Sequence, residues 1–396
     1  MFDPKERLTK SVSKEELERR WSLAREVMRE HKVDYLVARN DEEFLGGYIR
    51  WFTDIPARHS YPVTVIFPLD DEMTMISCGP FPPGNPPPPP WAVHGVKQRL
   101  GAPYFPSAHY THTYDAELTV RAIEKKDPVI GLVGKSYFPI NFFDHLMKYL
   151  PGATFVDMTE PIDNIKAVKS PEEIQLIQET AALQDEAIDY LRDKIKPGMR
   201  DFEVYAEAHY IVTLKGSERQ LVLVGSGPKG VPAPFQHRRY QNRMIQEGDQ
   251  VSVLIEVNGP GGLYTEIARM FSLGEPSQEL QDAFGYAVEA QQHTLNLLKP
   301  GAKPSEILEA NNEFLTKAAY KPELRLYAHG QGYDLVERPL FLKDETMTIK
   351  EGMNITVHPA AMTDTVWATV CDNYIIGPDG RGSCLHRTPK EIIVID

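Results

Sequence analysis

Between Asp163 and Ile188 the pattern of this chain changes, and the change limits what it can fold into. Upstream, short apolar runs of strand type alternate with helical stretches. Downstream, long helical patterns dominate, with strands set between them. The switch falls on a helix start, Ser170-Pro171-Glu172-Glu173. Serine offers an oxygen to the first free N–H groups, proline at the first turn has no N–H to lose, and acids suit the positive end of the helix dipole. Ile174, Ile177, Ala181 and Leu183 then follow on one side. A length of 396 residues exceeds one ordinary domain. The expected boundary lies just before this helix, giving domains of residues 1–162 and 163–396.

In the first part, Leu17, Trp21, Leu23, Ala24, Val27 and Met28 recur at near-helical spacing between Ser13 and His31, with Ser13 and Glu16 at capping-box spacing. Val33–Ala38, Val63–Phe67, Met73–Ser77 and Val129–Gly134 read as strands, so an α/β domain is expected. Phe81 to Trp91, with its five consecutive prolines, reads as a stiff polyproline loop, or as a wall offered to a neighbouring subunit's site.

The formal net charge of −13 argues against a phosphate-backbone partner. No apolar run approaches the roughly 20 residues that a membrane span needs. Met1 to Arg20 is charged throughout and lacks a signal-peptide core. Cys78, Cys371 and Cys384 are odd in number and lack CxxC pairing, which fits a reducing, cytoplasmic setting.

Five polar clusters in the second part sit among apolar strand or turn residues. They are PFQHRR with His237, VLIEVNGPGGLYTEIARMF with Glu256 and Glu266, AHGQGYDLVERP with His329 and Glu337, GMNITVHPA with His358, and VCDNY with Cys371 and Asp372. Singly, each has an ordinary reading: a satisfied histidine, the solvated end of a strand, or a glycine turn. Together they suggest a site, because imidazole titrates near neutrality and carboxylates orient it or bind cations.

The order and spacing of these clusters resemble the pita-bread proteins, the family of creatinase, prolidase, aminopeptidase P and methionine aminopeptidase (M24). The resemblance runs from about Asp163 to Asp396. It implies an α+β fold: a C-terminal pita-bread domain preceded by an α/β creatinase-type N-terminal domain. Metallopeptidases of this fold hold two metal ions with two aspartates, one histidine and two glutamates. By resemblance, Glu256 occupies the first aspartate position across a one-residue gap, and Glu266 the second. His329 is kept, His358 replaces one glutamate, and Cys371 replaces the other. A dinuclear site needs carboxylates to offset two dications about 3.5–4 Å apart, and an imidazole and a thiol remove two negative charges.

The resemblance to creatinase therefore implies a metal-independent hydrolase cleaving a C–N or similar bond in a small substrate, with no cofactor. His237 would be the acid–base, Glu266 and Glu337 would hold a cationic group or a water, and His329 and His358 would donate to developing negative charge. An alternative is a metal-dependent Xaa-Pro dipeptidase with one divalent ion on Glu266, His329, His358 and Cys371. Another is an inactive pita-bread domain used for binding. Arg50 and Trp51 fall where the family's N-terminal domain reaches a neighbouring site, so the resemblance also implies substrate contacts there and a homodimer with its site lined by both chains.

Overall fold

The computed structural model describes residues 10–56, 60–79, 93–102, 114–380 and 382–395. The proline-rich loop expected at Phe81–Trp91 lies outside them. The chain divides into two units, 1–166 and 167–396.

In the first unit, the strands are β1 (Tyr35–Asn40), β2 (Val63–Pro68), β3 (Met73–Cys78), β4 (Val96–Ala102), β5 (Val129–Val133) and β6 (Thr154–Asp157). They form one sheet in the order β4-β3-β2-β1-β5-β6. β1–β2 and β2–β3 are antiparallel, whereas the β3–β4, β1–β5 and β5–β6 pairs are parallel. Helices α1 (Lys14–Glu30), α2 (Gly47–Thr53), α3 (Tyr114–Ala122), α4 (Ile140–Tyr149) and α5 (Thr159–Lys166) accompany it. Ser13 caps α1, its Oγ accepting the Glu16 N–H at 3.0 Å, while the Glu16 carboxylate takes Arg19 and Arg20. Val37, Ile66, Ile76, Ile130, Leu132, Phe142 and Leu146 fill the core.

The second unit opens with α6 (Pro171–Lys194), whose capping box is complete: Ser170 Oγ accepts from Glu173 N, and Glu173 Oε2 accepts from Ser170 N. α7 (Asp201–Leu214) follows, then β7 (Gln220–Gly227), β8 (Gln250–Asn258) and β9 (Tyr264–Leu273). Next come α8 (Gln278–Leu297), α9 (Pro304–Lys317), β10 (Ala328–Gly330), β11 (Glu337–Leu340) and β12 (Asn354–Val357). The last strands are β13 (Ala360–Met362), β14 (Trp367–Thr369), β15 (Asp372–Ile375) and β16 (Ile393–Ile395). β7, β8 and β9 form an antiparallel ribbon, with β16 joined in parallel to β9. β11-β10-β12-β15 form a second antiparallel sheet. Among the described residues, no helix is long and apolar enough to cross a membrane.

The two sheets meet where Ala268 and Cys371 exchange both backbone hydrogen bonds at 3.3 Å. One residue further along each strand, the fully buried Arg269 and Asp372 pair at 2.7 Å. Arg269 also donates to the carbonyls of Ala268, Cys371, Thr388 and Pro389, so its donors are committed as its charge is compensated. Behind the ribbon, α6 contributes Gln184, whose Nε2 donates to Ile255 O and Thr265 O and whose Oε1 accepts from Thr265 Oγ1. The neighbouring Asp185 accepts the Arg387 and Thr388 N–H groups. Ala187, Ile188 and Leu191 continue the same face into an apolar core with Val253, Ile255, Ile267 and Phe271.

Burial alone would raise the Asp372 pKa, but the charges of Arg269, His386 and Lys390 hold it well below the usual carboxylate range. Below an unfolded-state value of about 4, the unfolded chain takes up a proton that the folded chain refuses, so this stabilisation is lost as pH falls further. Asp372→Asn should lower unfolding stability by about 3–5 kcal/mol at neutral pH, because it strands a buried guanidinium. Urea melts at pH 7 and pH 2.5 check this: the loss should shrink at the lower pH, inside the window below the unfolded value.

Candidate functional site

Register places the first two carboxylates side by side. Leu221 on β7, Glu256 on β8 and Glu266 on β9 form one cross-strand row. The next row on the same face is Leu223, Leu254 and Ala268. β10 and β12, paired with His329 opposite Thr356, supply the imidazoles: His329 from within β10, and His358 from the residue just past β12. His329 Nε2 lies 3.7 Å and His358 Nε2 3.9 Å from Glu266 Oε2. One ligand-capable atom from each of the three lies within 4.8 Å of the other two. All three side chains are buried, and they line a cavity of about 340 Å³.

A buried amide network underlies this geometry. Gln331 Nε2 donates to Glu256 Oε1 at 2.7 Å, and Asn373 Nδ2 donates to Gln331 Oε1 at 2.8 Å. Asn373 Oδ1 in turn accepts the Glu266 N–H at 2.7 Å, and its Nδ2 also reaches Asn354 Oδ1. Each amide thus spends both donor and acceptor capacity in fixing one carboxylate or the strand that carries the other.

The two carboxylates are driven apart in protonation. Burial, then the charge of Glu266, raises the Glu256 pKa well above the usual range, against the Gln331 hydrogen bond. Burial opposes ionisation of Glu266 too, but His358 and His329 outweigh it and bring its pKa down to about 2. At neutral pH one carboxyl is neutral and its neighbour is an anion. Burial lowers the His358 pKa to about 4, so this imidazole is neutral. Its Nε2 is buried and, among the described residues, has no hydrogen-bond partner.

Other residues singled out in the sequence stand elsewhere. Glu337 does not face the cavity as a substrate carboxylate: its Oε2 takes Lys169 Nζ at 2.6 Å, and its Oε1 takes the N–H groups of Tyr333 and Asp334. It fastens the Gly330–Asp334 turn, where a Cβ on Gly332 would run into Lys169 and Glu337. Burial raises the Cys371 thiol well above its ordinary pKa, and the thiol contacts Thr356 Oγ1 and Glu266 O at 3.2 and 3.5 Å. It packs behind the cluster as a thiol, not as a thiolate ligand. His237 is exposed at the head of the Arg238–Tyr240 turn and is not among the residues lining the cavity. In the first unit, Trp51 is 1% exposed in the core against Phe52, and Arg50 is buried with Nε 3.8 Å from Asp54 Oδ1. An apolar helix face claims the tryptophan, which removes it from substrate within its own chain.

Sequence reading missed Gln331, Asn373, Lys169 and the apolar wall. Gln331 and Asn373 stand inside segments singled out above, HGQG and VCDNY, and Lys169 directly precedes the Ser170 cap, but only pairing shows what each touches.

The donor set that converges here fits one divalent ion. Two imidazoles and a carboxylate with an open fourth position are a recurrent catalytic zinc set, and the Nε2 of His358 is buried without a hydrogen-bond partner among the described residues.

Residues 175–384 match the family model of metallopeptidase family M24. The Xaa-Pro dipeptidase of Pyrococcus furiosus is 23% identical over 246 residues, which is 60% of this chain and 68% of that protein. A probable dipeptidase PepE of Mycobacterium bovis is 24% identical over 239 residues, 60% of this chain and 63% of that protein. Among solved structures, the X-Pro aminopeptidase of Thermotoga maritima superposes with a TM-score of 0.78 at 17% identity, covering 95% of this chain and 99% of that one. The prolidase of Pyrococcus horikoshii gives 0.74 at 17% identity, covering 94% and 99%.

An unfolded histidine protonates below about 6.5, whereas folded His358 waits until about 4. The unfolded chain therefore binds more protons in that window, and metal-free protein should lose stability as pH falls through it. Thermal melts of chelated protein from pH 7 to 4.5 should show the loss, and His358→Gln should flatten it.

Proposed function

Since the chain belongs to metallopeptidase family M24, we propose that it is a metal-dependent dipeptidase of the Xaa-Pro type working with a single divalent ion on Glu266, His329 and His358. The observation that carries this reading is the convergence of those three buried side chains, one of them with an unpartnered nitrogen. The names of the relatives support the substrate class. This reading takes the place of metal-independent chemistry through His237, since that residue is exposed and apart from the cavity lining.

A bound divalent ion supplies Lewis acidity and lowers the pKa of a water molecule. The chain's own groups divide the remaining work. Glu266 brings the negative charge that holds a cation beside the neutral imidazole of His358. His329 Nδ1 lies 2.9 Å from Gly330 O, which fixes its tautomer and turns Nε2 towards Glu266. Glu256 is the acid: Gln331 occupies Oε1, so the proton rides on Oε2, to be given to the departing nitrogen and regained from the attacking water. Apolar walls limit the cavity's water, which strengthens each of these interactions.

Elemental analysis of protein purified without chelator, then reloaded with Mn²⁺, Co²⁺ or Zn²⁺, should give about one ion per chain, together with Xaa-Pro dipeptide hydrolysis. His358→Ala should lose the ion and at least 100-fold in kcat/KM. Two tight ions per chain, or full activity at zero metal, would sink the proposal. Glu256→Gln should retain the ion but lose about 10²–10⁴-fold in kcat, the usual worth of a general acid.

A further inference from the structure

The cavity that holds the three clustered side chains is mostly not polar. Glu256, Glu266, His329 and His358 gather on one side, and Arg325 adds a charged group that is already matched, with Nε and Nη2 donating to both oxygens of Glu323. The rest of the lining is Leu221, Leu223, Leu254, Leu326, Phe235 and Trp367, with Pro234. Strand register explains the division. The row Leu221–Glu256–Glu266 carries the chemistry, and the row Leu223–Leu254–Ala268 lies two residues along each strand on the same face. Phe235 and Trp367 stand edge to face at 4.8 Å and close this apolar row from the side.

Leu223 and Phe235 are only partly buried although they pack on the small cluster Leu254, Ala268 and Cys371. Around Pro234, Arg325 and Trp367 a second cavity of about 200 Å³ continues the space, lined also by Met362, Ala360 and Leu324. A volume of about 340 Å³ is at the small end for ligand sites. It suits a dipeptide-sized molecule.

We propose that Leu223 and Leu254, with Phe235 and Trp367, form a side-chain pocket that selects a substrate with a bulky apolar residue, branched aliphatic or aromatic, beside the bond cleaved. The inference rests on the single-ion hydrolase reading for the position of that bond. Polar or charged side chains would leave their hydrogen-bonding groups unpaired against leucine and aromatic carbon. Glycine or alanine would leave apolar surface wet.

Calorimetric titration of the full-length protein, without added metal and again with Mn²⁺, compares phenylalaninamide, leucinamide and glycinamide. Phenylalaninamide and leucinamide should bind at least ten-fold more tightly than glycinamide. Leu223→Asp, checked for an unchanged near-ultraviolet spectrum, should erase that difference. Equal binding of the three amides, or binding of none, overturns the pocket, and the wild-type comparison stands even if the variant misfolds. The two readings fail separately. Selective binding without hydrolysis of Leu-Pro or Phe-Pro under any metal keeps the pocket and removes the dipeptidase. Hydrolysis in which Gly-Pro and Phe-Pro have equal kcat/KM keeps the dipeptidase and removes the pocket.

Discussion

The fully buried pair between Arg269 and Asp372 is the contact on which the second unit's arrangement hangs. Among the described residues, the two sheets share no long ladder but meet at an isolated backbone bridge, Ala268 to Cys371, whose two hydrogen bonds are worth about 1 kcal/mol each. The ion pair turns it into a fixed joint, since an unmatched charge at this depth costs several kcal/mol. Fixing that joint sets where Glu266 on one sheet meets His329 and His358 from the other. The geometry that matters chemically is thus a by-product of a structural salt bridge one step along each strand.

Much of the fold was legible because local rules dominate it. Ser13 and Ser170 cap helices where the sequence places caps, and the runs at Val63, Met73 and Val129 are strands within a residue or so. Of the site, Glu256, Glu266, His329 and His358 were legible through cluster order. What they do was harder to read. Counting changed ligands suggested a lost metal, yet two of the changed residues, Glu266 and His358, make a coherent set for one ion with the retained His329. Glu337 looked like a substrate carboxylate because nothing local reveals Lys169, which lies 168 residues away in sequence. Trp51 looked like a contact residue because aromatic side chains serve cores and interfaces alike, and here it serves the core.

Two adjacent carboxyls with opposite protonation states give the site its character. Glu256 and Glu266 face one another across β8 and β9, both buried. One therefore stays protonated, and the imidazoles choose which: they stand beside Glu266, while Gln331 offers Glu256 only a neutral amide. In the proposed reaction, a general acid and an anionic ligand arise from the same residue type through placement alone.

The stitching of α6 to a distant part of the chain bears on how the protein is made. Gln184 Oε1 takes His386 Nε2, and Asp185 takes the main chain of Arg387 and Thr388, partners 202 or 203 residues later. On a ribosome adding about 5–20 residues per second, the helix bearing these two groups emerges at least ten seconds before its partners do. Through that interval a carboxylate and an amide destined for the interior must stay hydrated. The first unit is free to fold as it emerges, but the helix behind the ribbon cannot settle before residues 386–388 have been translated. Nascent chains of this protein therefore pass through a long exposed stage in which general chaperones have the most to bind.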